Sequence, residues 1–210
     1  MNPDTCPKSP LRLAVLISGG GTTLGNIVTR LRDGRLRGAD VRLVISSRTN
    51  VRGVEIAHAA DLPLQIIRRR DFPDDTAFSS AITGALDDAG VDLVLLAGFL
   101  CYWRLPDRYA GRVLNIHPAL LPEFGGRGMY GQHVHQAVLA AGVTESGCTV
   151  HIADTLYDHG PIVAQARVPV LAGDDPHTLA DRVGAAEREL FPQVIQQIVD
   201  NGLGWLRQFT

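Results

Sequence analysis

The sequence predicts an α/β fold: a mostly parallel, twisted sheet flanked by helices, with a mixed or antiparallel C-terminal edge. Apolar runs typical of strands buried on both faces alternate with helical patterns as far as about residue 110. Beyond it come a glycine-rich loop and two strand patterns that only a turn separates. Because no linker divides the chain, we predict one domain over residues 1–210, with halves at about 11–110 and 111–200.

The first predicted unit is a strand, a tight turn and a helix. The apolar run Leu11–Ile17 predicts a strand that is buried on both faces. Ser18–Gly21 follows as the turn, and apolar residues then recur at spacings of three and four from Leu24 to Leu31. We therefore predict a helix that begins near Thr22 with a hydroxyl residue as its N-cap.

The same two patterns continue along the chain. Further strands are predicted at Val41–Ile45, Leu62–Ile67, Asp92–Ala97, Val113–Ile116, Thr149–Ala153 and Ile162–Val170. Further helices are predicted at Val51–Ala60, Thr76–Ala89, His133–Ala141 and Thr178–Val199. We expect Pro192 to disturb the last of these helices. Strands that alternate with helices imply right-handed βαβ crossovers in the first half.

Composition and charge exclude several classes of function. The 20 Lys and Arg residues against 22 Asp and Glu residues give a formal net charge of −2. We therefore expect no nucleic-acid partner and no anionic membrane surface. No apolar run reaches the roughly 18 residues of a membrane span, and the segment Met1–Pro10 is too polar for a signal peptide.

The three cysteines, Cys6, Cys101 and Cys148, are far apart in the sequence and odd in number. This usage argues against a disulfide framework and indicates a reducing compartment, so we predict a cytoplasmic protein. His133 and His135 lie close together but lack a second pair of ligands. We therefore predict no metal site.

The glycine turn is a candidate phosphate site. Backbone N–H groups at a helix N-terminus are unpaired and carry the positive end of the helix dipole. The sequence Gly-Gly-Gly-Thr-Thr at residues 19–23 lacks the lysine of a nucleotide-triphosphate-binding loop, which argues against triphosphate hydrolysis. A turn that merely needs glycine for its geometry remains the alternative.

Asn115 and His117 are candidate catalytic residues because alternation along a strand places both side chains on one face. An amide that donates to an oxyanion, beside an imidazole that exchanges protons, suits acyl transfer. Asp158 lies in the turn sequence Tyr157–Pro161, and its carboxylate would raise the pKa of His117 if it reached the imidazole. The alternatives are a satisfied polar pair and an aspartate that serves only the turn.

Four segments together resemble the phosphoribosylglycinamide formyltransferases, folate-dependent enzymes of purine synthesis. They are SGGGTTL at 18–24, LAGF at 96–99, AGRVLNIHPALLP at 110–122 and YDHGPIVAQ at 157–165. The resemblance runs in the same order over about residues 12–200. It implies transfer of the formyl group of 10-formyltetrahydrofolate to glycinamide ribonucleotide by a metal-free monomer or homodimer whose partners are small molecules.

The resemblance also assigns roles to individual residues. The implied catalytic set is Asn115, His117 and Asp158. The implied phosphate-binding residues are Gly19, Gly20, Gly21, Thr22 and Thr23, and the implied ribose contact is Glu187. The implied folate-binding residues are Leu100, Cys101, Tyr102, Trp103, Asn115 and Asp158. The first half of the chain is then the phosphate-binding half, and the second is the catalytic and folate-binding half. Related enzymes also turn sharply after the catalytic strand, which makes Leu121–Pro122 a candidate cis peptide.

Some positions depart from the family pattern. An arginine often follows LAGF closely, whereas here Cys101, Tyr102 and Trp103 precede Arg104. Another folate-side arginine of the family lands near Asp75, the loop at residues 123–135 is longer, and His159 replaces a small residue.

Three other functions share some of these features. A methionyl-tRNA formyltransferase would need a further domain and a basic face for its tRNA. A formyltetrahydrofolate deformylase would carry an added N-terminal regulatory domain. A catalytically silent folate- or nucleotide-binding module would not require the intact set of Asn115, His117 and Asp158.

Overall fold

The computed structural model describes residues 9–210, which form one seven-stranded sheet with helices on both faces. The strands are β1 (Leu11–Ile17), β2 (Ala39–Ser46), β3 (Leu64–Ile66), β4 (Leu93–Leu96), β5 (Val113–His117), β6 (Glu145–Ile152) and β7 (Ile162–Pro169). The α-helices are α1 (Thr22–Arg32), α2 (Arg52–Ala59), α3 (Asp75–Asp88), α4 (Gln132–Ala140) and α5 (Pro176–Asn201). Cys6 and the segment as far as residue 8 lie outside the described residues.

The strand order is β3-β2-β1-β4-β5-β6-β7. The first five strands pair in parallel, whereas β6 pairs antiparallel with both β5 and β7. The predicted α/β fold with an antiparallel C-terminal edge is therefore confirmed. The sheet is continuous from one half of the chain to the other, because β4 and β5 pair across the predicted boundary.

Each face of the sheet carries its own hydrophobic core. Leu13, Val15 and Ile17 pack into the cluster that α1 and α5 cover, whereas Ala14 and Leu16 pack into the cluster that α3 covers. All five side chains are fully buried. The continuous apolar run of β1 therefore reflects burial on both faces, as the sequence predicts.

The start of α1 differs from the prediction. Its N-cap is Gly21 in a left-handed conformation at φ 65°, and no side chain caps the helix. A hydroxyl N-cap was the wrong prediction, because Thr22 and Thr23 already belong to the first turn. The glycine is required here, since a Cβ at Gly21 would lie 2.4 Å from the Cα of Gly53 at the start of α2.

Helix α5 is continuous through Pro192, so the predicted disturbance is wrong. A proline within a helix leaves the carbonyl four residues earlier without its usual partner. That carbonyl belongs to Arg188, and it accepts a hydrogen bond of 2.8 Å from Nδ2 of Asn26 on α1. A side chain from a neighbouring helix thus replaces the missing backbone donor.

Strand β6 begins four residues earlier than predicted, at Glu145, because its first residues pair with the end of β7. All other predicted bounds agree with the structure within one or two residues. The Leu121–Pro122 peptide is cis, as predicted. Within residues 9–210 no helix is both long enough and apolar enough to cross a membrane. Cys101 and Cys148 are free thiols.

Candidate active site

A cavity of about 650 Å³ opens at the carboxyl ends of β1, β4 and β5. This is the edge at which open α/β sheets bind ligands, and the volume suits a small molecule. Every residue that the sequence assigned to a site lines this cavity: Gly19, Gly20, Gly21, Thr22, Thr23, Leu100, Cys101, Tyr102, Trp103, Asn115, His117, Asp158 and Glu187.

Asp158 lies at the centre of a polar cluster at the end of β5. Its Oδ1 accepts a hydrogen bond of 3.1 Å from Nδ2 of Asn115, and its Oδ2 accepts one of 3.0 Å from the backbone N–H of Gly126. The same Oδ2 lies 3.4 Å from Nδ1 of His117. The predicted contact between His117 and Asp158 is therefore confirmed.

The turn between β6 and β7 presents this carboxylate. Asp158 has a left-handed backbone at φ 52°, and the next glycine, Gly160, is buried against the end of β6. A Cβ at Gly160 would lie 1.8 Å from the carbonyl oxygen of Ile152. The turn reaches its position over β5 only because glycine leaves room for that approach.

His117 is buried, and both of its ring nitrogens face oxygen atoms. Nε2 donates to the carbonyl of Phe124 at 2.8 Å, and Nδ1 faces Asp158. Because both oxygens are acceptors, this arrangement favours the doubly protonated ring. Burial nevertheless lowers the pKa of His117, and this effect outweighs the upward influence of Asp158 and of the Phe124 carbonyl. The predicted upward influence of Asp158 on the pKa of His117 is therefore present, but burial of the ring outweighs it.

The neighbours of Asp158 stabilise the charged form of its carboxyl. Burial alone would raise its pKa, but the neighbouring His151, the charge of His117 and the N–H of Gly126 together hold the pKa below its usual value. The carboxylate is therefore a fixed negative charge beside the imidazole.

Two further histidines, neither of them assigned to the site from the sequence, line this cavity. His151 lies opposite Asn115 in the antiparallel β5–β6 register, and its Nε2 accepts from Nδ2 of Asn115 at 3.0 Å. His135, on the first turn of α4, is also buried at the cavity wall. Burial and the nearby charge of His117 lower the pKa of His135. The alternation of polar and apolar residues along β6 was the available signal for His151, but it needed the strand register to become useful.

The glycine turn forms the opposite end of the cavity. The first intrahelical hydrogen bond of α1 runs from the N–H of Gly25 to the carbonyl of Gly21. The N–H groups of Thr22 and Thr23 precede it, so they have no partner within the helix. They lie at the positive end of the helix dipole, which favours an anion.

The segment after β4 forms a third side of the cavity. Leu100 is 42% exposed, and the ring of Tyr102 lies 5.7 Å from that of Tyr157. Trp103 is largely buried, because its indole packs on Tyr109 and donates to the hydroxyl of Thr83 at 3.1 Å. Exposed apolar side chains thus face the opening, whereas Trp103 anchors the segment to the core.

Glu187 of α5 lines the cavity near α1. Burial raises the pKa of its carboxyl to about 7, although the charge of Arg188 lowers it. The folded protein therefore holds a proton between about pH 4.5 and 7 that the unfolded chain releases.

We expect Glu187→Gln to stabilise the protein at alkaline pH. As the pH rises from about 4.5 to 7, the wild type loses stability because the buried carboxyl must ionise, whereas the amide does not titrate. The gain is expected to be about 3 kcal/mol at pH 8 and to vanish below about pH 4.5. Thermal melts of both proteins between pH 4.5 and 8.5 measure it, and a pH-independent difference would contradict it.

Within residues 9–210 no cluster of three or more histidine, cysteine or acidic side chains is arranged to hold a metal ion.

The formyl transferase family matches residues 11–195 of the chain. The trifunctional purine biosynthetic protein adenosine-3 of Drosophila pseudoobscura pseudoobscura is 41% identical over 196 residues, which cover 91% of this chain and 14% of that protein. The phosphoribosylglycinamide formyltransferase of Mycobacterium tuberculosis (strain CDC 1551 / Oshkosh) is 38% identical over 200 residues, which cover 94% of this chain and 89% of that protein.

Solved structures are similar to the chain as well. The crystal structure of glycinamide ribonucleotide transformylase 1 from Symbiobacterium toebii has a TM-score of 0.85 at 38% identity. The match covers 92% of this chain and 90% of that one. This chain thus spans about a seventh of the Drosophila protein and most of the two bacterial ones.

Proposed function

Because this chain belongs to the formyl transferase family, we propose that it transfers the formyl group of 10-formyltetrahydrofolate to the amine of N1-(5-phospho-D-ribosyl)glycinamide, a step of de novo purine biosynthesis. The observation that carries the proposal is the contact of Asn115, His117 and Asp158 at one wall of a cavity whose opposite end is a helix N-terminus. Similar proteins are named for this activity.

The phosphate of the ribonucleotide binds at Gly19–Thr23, where backbone N–H groups and the helix dipole face the cavity. Glu187 contacts the ribose hydroxyls from α5. The residues of the first half of the chain hold the phosphate, whereas the second half supplies catalysis. The formyl folate binds against Leu100, Cys101, Tyr102 and Trp103, with its formyl group at Asn115 and Asp158.

The amine of the ribonucleotide attacks the formyl carbon, and negative charge develops on the formyl oxygen. Both ring N–H groups of His117 face protein oxygens, so protonated His117 donates to the formyl oxygen by giving up the bond from Nε2 to the Phe124 carbonyl, while Asp158 stabilises the imidazolium. Nδ2 of Asn115 donates one hydrogen to Asp158 and the other to His151. It can therefore donate to the formyl oxygen only after it gives up one of these two hydrogen bonds. The carbon–N10 bond then breaks as a proton leaves the new amide and N10 gains one.

The proposed partners of the protein are the two small molecules, with no nucleic acid and no membrane. We assign it to the cytoplasm as a monomer or homodimer, since its sparse cysteines indicate a reducing compartment.

One assay tests the proposed function. The protein is incubated with 10-formyltetrahydrofolate, with and without the ribonucleotide, and the release of tetrahydrofolate is followed. We expect release only when the ribonucleotide is present, together with formylated product. Equal release in its absence would indicate hydrolysis by a deformylase, and no release in either case would indicate a silent binding module.

We expect Gly21→Val to raise KM for the ribonucleotide about 10- to 100-fold, the cost of losing one hydrogen bond to a charged group. A side chain at Gly21 would meet the backbone of Gly53, so the loop must shift away from the phosphate. Steady-state kinetics measure this effect. Gly20→Ala adds its Cβ in open space and is expected to keep the wild-type melting temperature. An unchanged KM in the valine variant would contradict the phosphate assignment.

A further inference from the structure

One arginine and no lysine border the cavity within the described part of the chain. Arg127 lies in the loop between β5 and α4, and no other arginine or lysine of residues 9–210 lines the cavity. Three carboxyl groups do line it, those of Asp154, Asp158 and Glu187. The N-terminus of α1 accounts for the phosphate of one proposed substrate, whereas the carboxylates of the formyl folate still call for a cation.

The guanidinium of Arg127 is available for this purpose. The residue is exposed, and its side chain forms none of the salt bridges found among residues 9–210. Its backbone position is nevertheless fixed, because the preceding residue, Gly126, donates to Asp158. Arg127 is thus a cation that is held at the site but not engaged by the protein.

The surroundings place Arg127 on the aromatic side of the cavity. Gly126, the residue before Arg127, donates to Asp158, and Asp158 directly follows Tyr157. In agreement with this proximity, burial raises the pKa of the Tyr157 phenol and the charge of Arg127 opposes this rise. Tyr157 contacts Tyr102, whose neighbour Trp103 packs into the core under α3. On the opposite side of the cavity, where α1 and α5 meet, the cation that lowers the pKa of Glu187 is Arg188 and not Arg127.

The mouth beside Arg127 is unusually apolar for an exposed surface. Four large exposed side chains border the cavity there: Leu100, Tyr130, Leu156 and Tyr157. Exposed apolar residues are normal singly, but a group of them around a cavity marks a binding surface. Aromatic rings beside one free guanidinium suit a ligand in which a flat ring carries a carboxylate.

We propose that Arg127 binds the glutamyl carboxylate of the formyl folate, while Tyr102 and Tyr157 contact its aminobenzoyl ring. A guanidinium forms paired hydrogen bonds with a carboxylate, which makes Arg127 a specificity-determining residue for the folate. This inference rests on the proposed function for the identity of the ligand.

The first test is the kinetics of Arg127→Gln with both substrates varied. We expect KM for 10-formyltetrahydrofolate to rise about tenfold, which corresponds to about 1.4 kcal/mol. KM for the ribonucleotide and kcat are expected to stay within about twofold of the wild type. Arg104→Gln is the matched control, because Arg104 is also exposed and follows the same aromatic segment without lining the cavity.

The second test removes the carboxylate from the ligand instead of the cation from the protein. The wild type is expected to bind 10-formyltetrahydropteroyl amide, in which a neutral amide replaces the glutamate, about tenfold more weakly than the folate. Arg127→Gln is expected to show little further loss with that analogue, because the two changes remove the same interaction. If the substitution and the change of ligand weakened binding independently, so that their effects on affinity added, the inference would be overturned.

The remaining outcomes are equally decisive. A rise in KM for the ribonucleotide alone would assign Arg127 to the phosphate, and a larger effect in Arg104→Gln would assign the carboxylate to Arg104. Either result overturns the inference. Calorimetric titration with the folate in the absence of the ribonucleotide measures folate binding alone, so it tests the role of Arg127 separately from the proposed function. Weaker folate binding by Arg127→Gln supports the inference even if the wild type forms no formylated ribonucleotide.

Discussion

Asp158→Asn is expected to lower kcat about 100-fold while leaving the fold and most of the substrate binding intact. The amide has the shape of the carboxylate, and its single oxygen can still accept one of the two hydrogen bonds that Asn115 and Gly126 donate to separate oxygens of Asp158. It carries no negative charge, so it no longer stabilises the imidazolium of His117. Stopped-flow or steady-state kinetics at saturating concentrations of both substrates measure the loss of kcat.

The same substitution is expected to move the alkaline limb of the kcat profile to lower pH. Burial lowers the pKa of His117, and Asp158 is the main influence that opposes this fall. Without the carboxylate the pKa falls further, and the protonated form that donates to the formyl oxygen is lost at a lower pH. Asp154→Asn is the matched control, because Asp154 also borders the cavity but pairs with His159.

His117→Ala is expected to cost at least as much as Asp158→Asn, and the double variant little more than the worse single one. Residues that act as a unit show this non-additivity, because removing either one already abolishes the shared interaction. A fully additive double variant, or an unshifted alkaline limb, would show that Asp158 serves only the turn.

Gly160→Ala is expected to lower kcat about 10- to 100-fold and stability by about 1–3 kcal/mol. The added Cβ would overlap the carbonyl oxygen of Ile152, so the turn between β6 and β7 must move. Asp158 lies two residues earlier in that turn and moves with it. Displacing a catalytic group by about 1 Å can cost two orders of magnitude in rate.

The measurement combines a thermal melt with kcat at a temperature where both proteins are folded. Gly204→Ala is the control, because its Cβ would enter open space in the C-terminal 3₁₀ helix. Reduced stability with a normal kcat would show that the turn absorbs the methyl group without displacing Asp158.

Local sequence was sufficient for the framework of this protein. The period of apolar residues located the strands and helices, because burial on one or both faces of an element is repeated along its own length. The unbroken apolar run of β1 correctly indicated a strand covered on both sides. Alternation on β5 likewise placed Asn115 and His117 on one face before any contact was known.

Tertiary structure decided the features that depend on distant parts of the chain. The register of β5 against β6 places His151 opposite Asn115, and no local pattern fixes a register between strands that a helix separates. The Arg188 carbonyl, which Pro192 leaves without a backbone donor, accepts its hydrogen bond from Asn26, 162 residues earlier in the chain. Gly53 similarly excludes every residue but glycine at the N-cap of α1.

The charge state of the site shows the same division. The sequence supplied the pair His117 and Asp158, and it correctly predicted that the carboxylate favours the imidazolium. The net direction of the pKa of His117 was decided by burial, which is a property of all the atoms packed around the ring. Residue types determined which interactions were available, whereas the three-dimensional packing determined which of them prevailed.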